Sequence, residues 1–89
     1  MESSNTFRII NQKGIHARPS ASLVKLANTF NSDIIIHHNG EDVDGKSLLG
    51  IMLLAAGPGS NVKVTAKGND AEQAVKEIGK LISAGFGEI

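Results

Sequence analysis

Ile34-Ile35-Ile36-His37-His38-Asn39-Gly40-Glu41-Asp42-Val43-Asp44 is the stretch that decides the fold. Three β-branched residues in succession favour an extended strand. Asn39-Gly40 supplies the two positive-φ residues that a tight hairpin turn demands, so the chain is expected to reverse there and return over Glu41 to Asp44. A hairpin makes the sheet antiparallel at its centre. His37 and His38 are adjacent in the strand and therefore point to opposite faces. They cannot chelate one ion together, and both are expected on the surface.

Upstream of the hairpin, Leu23, Leu26, Ala27 and Phe30 recur at i, i+3, i+4 and i+7. This spacing predicts an amphipathic helix over about Ala17–Thr29, ended by Asn31-Ser32-Asp33. Before it, Thr6–Asn11 alternates well enough for a first strand with Phe7 and Ile9 inward, and Met1–Asn5 reads as a polar tail. Downstream, Gly45-Lys46-Ser47 opens a second helix with Ser47 as N-cap. Its body, Leu48 to Ala56, is apolar on all sides, more than a chain of 89 residues can cover, so part of it should face outward. Gly57-Pro58-Gly59 is expected to end that helix. Val62, Val64 and Ala66 alternate with Lys63, Thr65 and Lys67 as a half-exposed strand. Asp70 and Gln73 form a capping-box-like start to a last helix. Ala71, Ala74, Val75, Ile78, Leu81 and Ile82 line one face of it, and Gly85 closes it. The order is β-α-β-β-α-β-α, an α+β chain read as one domain over 1–89. The economical packing is a four-stranded antiparallel sheet with three helices on one face.

Composition narrows the function. Nine basic residues balance nine acidic ones, and there are three Phe with no Trp or Tyr. A neutral chain with few aromatics lacks both the counterion-releasing face and the stacking platform of a nucleic-acid binder. The chain has no cysteine, which suits a reducing cytoplasm. The longest apolar run is too short to span a bilayer, and no secretory signal pattern opens the sequence. His16, His37 and His38 give no zinc-like spacing, so neither a metal nor a cofactor is expected.

The chemistry concentrates in Gly14-Ile15-His16-Ala17-Arg18-Pro19-Ser20, where the first strand hands over to the first helix. Pro19 suits a first helical turn and lacks an N–H, which leaves the amides of Ala17, Arg18 and Ser20 as free donors. Unpaired amides and the positive end of the helix favour an anion, and Arg18 adds a fork of donors shaped for phosphate oxygens. His16 sets a nucleophilic imidazole at the mouth of that site, which suggests phosphoryl transfer to the histidine itself.

Gly-Ile-His-Ala-Arg-Pro resembles the active-site signature of the HPr family, the histidine-containing phosphocarriers of the bacterial phosphotransferase system. The element order is similar over nearly the whole chain. The resemblance implies an open-faced β-sandwich. It also implies a cytoplasmic, monomeric carrier with no turnover of its own. Enzyme I, charged from phosphoenolpyruvate, would donate to Nδ1 of His16, and the EIIA components of sugar permeases would receive. It implies that Arg18 and the amides around Ala17 and Arg18 hold the phosphoryl oxygens. Lys46-Ser47-Leu48-Leu49-Gly50 resembles the family's regulatory segment, which implies that an HPr kinase/phosphorylase modifies Ser47. Leu48, Leu49 and Met52 would form the apolar patch that docks on partners. Asn28 and Gly50 stand where some relatives carry Lys. Two other readings are a nitrogen-type regulatory branch of the family and a small acylphosphatase-like hydrolase. The hydrolase would need an Asn to orient a water, and no clear one is present.

Overall fold

The computed structural model describes residues 1–88. Four strands, β1 (Glu2–Arg8), β2 (Asp33–His38), β3 (Glu41–Asp44) and β4 (Asn61–Lys67), form one antiparallel sheet in the order β1-β4-β2-β3. Helices α1 (Ala17–Ala27), α2 (Leu48–Leu53) and α3 (Ala71–Ser83) pack together on one face, with a 3₁₀ turn at Gly85–Gly87. The hairpin is the expected one. Asn39 and Gly40 have φ of 50° and 81°, and His38 pairs with Glu41 across them.

The core is aliphatic. Ile34 and Ile36 of β2 and Val62, Val64 and Ala66 of β4 meet Leu23 and Ala27 of α1, Ile51 of α2, and Ala74, Ile78 and Ile82 of α3. The outer face of the sheet stays in water, which explains the clean alternation along β2 and β4.

Four local expectations are corrected. The first strand begins at Glu2 rather than Thr6, because β4 is long enough to pair every residue from Glu2 to Arg8. Apolar alternation was a poor guide where most of the strand faces solvent. The second helix stops at Leu53, well before Gly57, because Ala55 turns the chain with a φ of 50°. His38 is buried rather than on the surface, since it continues the inward row of Ile34 and Ile36. His37 does lie on the open face, beside Asp42 of β3.

The capping box at Asp70 is also absent. Its carboxylate makes no cap bond. It accepts instead from the amides of Asn31 at 2.8 Å and Ser32 at 2.9 Å, and from the Ser32 hydroxyl. Gln73 turns to Glu77. Asp70 thus ties the α1–β2 loop to the start of α3. The Ser32 hydroxyl foremost, and then the Asn31 amide, hold its pKa below the ordinary value. A depressed carboxyl stabilises the fold fully above its unfolded pKa of about 3.9 and loses that stabilisation as pH falls through the lower folded value. Asp70→Asn should therefore flatten the stability–pH curve below about pH 4. Urea titrations across that range check it.

Candidate functional site

The segment between β1 and α1 is fixed at both ends before it presents a side chain. Buried Ile9 donates its N–H to Ser60 O at 2.8 Å and accepts from Gly59 N–H at 2.7 Å. Gly14 N–H then closes a turn onto Asn11 O, and the Asn11 side chain donates from Nδ2 to Gly14 O at 2.7 Å. Gly14 adopts a φ of +64°, and a Cβ there would lie 2.5 Å from Ala56 O. Only glycine fits both the conformation and the approach. The next residue, Ile15, is buried and donates to that same carbonyl at 2.9 Å. The turn at Ala55 is what brings Ala56 into place.

His16 is thereby set as the N-cap of α1, in extended backbone (φ −106°, ψ −164°). Its carbonyl accepts from Ser20 N–H at 3.0 Å and from Ser20 Oγ at 2.7 Å. Ser20 N–H is thus consumed by the first helical bond and is not the free donor expected from the sequence. The amides of Ala17 and Arg18 precede that bond and have no helical acceptor. Pro19, third in the helix, is buried and needs none.

Glu88 is the residue the sequence reading missed. Its carboxylate lies 2.9 Å from His16 Nε2 and accepts from Arg18 Nε at 2.9 Å and Asn11 Nδ2 at 3.0 Å. Arg18 also donates from Nη2 to Phe86 O at 2.8 Å. The Gly-Phe-Gly turn makes this reach possible: Gly85, Phe86 and Gly87 all have positive φ, and the buried Phe86 ring anchors the fold-back. The one available signal was that glycine pair just before a lone terminal acid. Burial pushes the Glu88 pKa up, but the hydrogen bonds from His16, Asn11 and Arg18 outweigh it and leave the carboxyl below the ordinary value. Glu88 is therefore a carboxylate at neutral pH. Asn11 is almost fully buried, and its Oδ1 has no partner among the described residues.

A carboxylate facing Nε2 selects the neutral tautomer that carries its proton there, and so leaves the lone pair on Nδ1. In Glu88→Ala the preference should weaken. Imidazole ¹⁵N shifts of His16 recorded at alkaline pH would show it, moving from an Nε2–H form toward a mixture.

Ser47 caps α2, with Oγ accepting from Gly50 N–H at 3.1 Å. Beyond it Leu48, Leu49 and Met52 are exposed, as is Leu53, which the sequence reading did not include; Leu49 and Leu53 leave 68% and 69% of their surface in water. The helix packs on α1, so this apolar patch belongs to the neighbourhood of the histidine loop. Asn28 Nδ2 donates back to Val24 O at 2.9 Å, and Gly50 sits against Ser47 and Val43. Among the described residues no cluster of three or more acids and histidines could hold a metal ion. No described helix is long and apolar enough to cross a membrane.

Residues 3–84 match the family model described as "PTS HPr component phosphorylation site". The chain is 46% identical over 80 residues to phosphocarrier protein HPr of Cupriavidus necator, covering 90% of each. It is 42% identical over 88 residues to the multiphosphoryl transfer protein of Escherichia coli O157:H7, of which it spans only 23%. Among solved structures it is similar to HPr of Thermoanaerobacter tengcongensis, with a TM-score of 0.93, 40% identity and 98% of each chain covered. HPr of Bacillus anthracis gives a TM-score of 0.87 at 37% identity, with 91% of this chain and 96% of that one covered. Fold, histidine loop and relatives agree: the chain belongs to the HPr family of phosphotransferase-system phosphocarriers, which carry a phosphoryl group rather than turn over a substrate.

Proposed function

We infer that His16 is the phosphoryl acceptor and that Nδ1 is the accepting atom. The observation that carries this is the Glu88 carboxylate on Nε2, which leaves the lone pair on the other ring nitrogen beside the start of α1. The Nδ1 lone pair attacks phosphorus of phosphorylated Enzyme I, the donor's bond to phosphorus breaks, and its electron pair returns to the donor. The ring keeps its Nε2 proton and gains positive charge, which Glu88 faces. The amides of Ala17 and Arg18 and the guanidinium of Arg18 meet the phosphoryl oxygens. Such a transition state is loose and charge-rich, so positioned donors are the protein's main contribution. The same steps in reverse would deliver the group to an EIIA domain.

Incubation with Enzyme I and labelled phosphoenolpyruvate tests this. The label should be acid-labile and base-stable, as an N–P bond is, and should chase onto EIIA. Acid-stable label would overturn the reading. Transfer to sugar-type rather than nitrogen-type EIIA domains would fix the branch.

Ser47 is the regulatory site in this reading, modified by an HPr kinase/phosphorylase. A phosphate there carries roughly −1.5 to −2 charge, which a helix N-terminus tolerates. It also lies beside Leu48 and Leu49, where docking would have to desolvate it. Ser47→Asp should keep the fold or stabilise it by about 0.3–1 kcal/mol while slowing phosphorylation by Enzyme I. Ser47→Ala should lose about 0.5–2 kcal/mol of cap energy yet accept phosphate at a near-parental rate. Melting curves and labelling time courses separate the two effects.

A further inference from the structure

The residues just past β1 continue its alternation, and one inward place is polar. Ile9 is buried, Ile10 is exposed and Asn11 is only 2% exposed, where an apolar side chain would be the ordinary choice. The Asn11 amide is also satisfied unequally. Nδ2 donates twice, to Gly14 O at 2.7 Å and to Glu88 Oε1 at 3.0 Å, while Oδ1 has no partner among the described residues. The opposite orientation of the amide would set Oδ1 against that carbonyl and that carboxylate, three acceptors together, so the direction of the donors is fixed. A buried amide oxygen left without a donor costs stability. What Asn11 contributes must therefore lie in its two N–H groups.

One of the two bonds stays inside the histidine loop, and the other reaches a residue 77 positions away. The first doubles a turn already closed by the backbone, since Asn11 O accepts from Gly14 N–H at 3.1 Å. The second bears on the carboxylate that faces the imidazole. Glu88 Oε2 accepts from Arg18 Nε at 2.9 Å and lies 2.9 Å from His16 Nε2, and Oε1 lies 3.1 Å from the same nitrogen. Arg18 thus holds one oxygen only, and a carboxylate turns readily about its last side-chain bond. The bond from Asn11 to Oε1 opposes that rotation. It comes from a buried amide with no room to swing, whereas the Arg18 side chain is 54% exposed.

We propose that Asn11 is a positioning residue for phosphoryl transfer: its Nδ2 holds the Glu88 carboxylate against Nε2 of His16 and so keeps the reacting lone pair on Nδ1. This role, which rests on His16 as the acceptor, is exerted through Glu88 alone.

The parent chain offers the first test. During an acid titration the two Asn11 side-chain N–H resonances should move together with the Glu88 carboxyl carbon. A side-chain amide that stays fixed while Glu88 protonates would overturn the role without any variant. In Asn11→Ala the Glu88 carboxyl should titrate higher, because burial raises its pKa and one of the bonds that lower it is gone. Imidazole ¹⁵N shifts of His16 at alkaline pH should fall between those of the parent and those of Glu88→Ala. Phosphorylation by Enzyme I should drop about tenfold in kcat with KM unchanged, as loss of an orienting partner does at other imidazole sites. In a Glu88→Ala background, Asn11→Ala should change neither the shifts nor the rate further. A second tenfold loss there would show that Asn11 only braces Gly14, and would overturn the proposal. Ser32→Ala, which loosens the fold at Asp70, should leave the His16 shifts and the Glu88 titration at parental values. The same changes in that variant would reduce the effect of Asn11→Ala to general loosening and would count against the role. A parent that takes no label removes His16 as the acceptor, whereas Asn11→Ala shifts equal to the parent's remove Asn11 alone.

Discussion

His16→Ala should take no label at all from Enzyme I and phosphoenolpyruvate, while unfolding within about 1 kcal/mol of the parent. The loss is total because no other described side chain brings a nucleophilic nitrogen to this helix start. His37 sits on the open face of the sheet and His38 is buried under its far end. The fold should tolerate the change because the imidazole is partly exposed, makes no cap bond, and touches the rest of the chain mainly through Glu88. Glu88 would keep Arg18 and Asn11 as donors. Phosphotransfer with a mass or label readout settles it, and undiminished labelling of the variant would refute the assignment of the acceptor.

Gly14→Ala should damage both stability and transfer, without removing any functional group. The site needs φ of +64°, which disfavours a Cβ by about 1–2 kcal/mol. The new methyl would also meet the Ala56 carbonyl and Gly57 backbone, neither of which can rotate away. Ile15 donates to that carbonyl, so relief of the clash pulls apart the bond that holds the residue before His16. We expect a loss of about 2–4 kcal/mol in urea unfolding. The phosphorylation rate should fall about 100-fold, since a displacement near 1 Å costs that much where geometry is the main contribution. A variant that folds weakly but phosphorylates at the parental rate would show that the loop's position is less critical than the Gly14–Ala56 contact implies.

Strong periodic signals predicted the architecture well, and context-dependent ones failed. Asn39-Gly40, the β-branched run of β2 and the 3.6-residue stripe of α3 each report a single local requirement, and each appears in the structure. Glu2–Asn5 carries no such pattern because its order comes from β4. His38 looked like a surface histidine by residue type, while its place in the alternation put it inside. At the site, the side chains aimed from the Gly14–Pro19 segment were readable because proline and glycine fix the local path. Glu88 was not, because it joins the site from 72 residues away through a fold-back that no short-range rule predicts. Asp70 shows the same limit: its spacing to Gln73 promised a cap, but a loop 38 residues away offered better donors.

Helix α2 is only six residues long. An isolated helix of that length does not form in water, since so few bonds cannot offset nucleation. Its closure depends on Ser47 at one end and on tightened bonds from Leu54 and Ala55 at the other. The anchor to the core is Ile51, fully buried, while the residues around it face out. Such an element opens on its own at a lower free energy than the sheet beneath it, and it exchanges its amide protons without global unfolding. In the function proposed above, the docking patch is thus borne by a helix that cannot hold itself closed alone, and a partner would meet a surface able to remodel while the sheet, and the loop it holds, keep their shape.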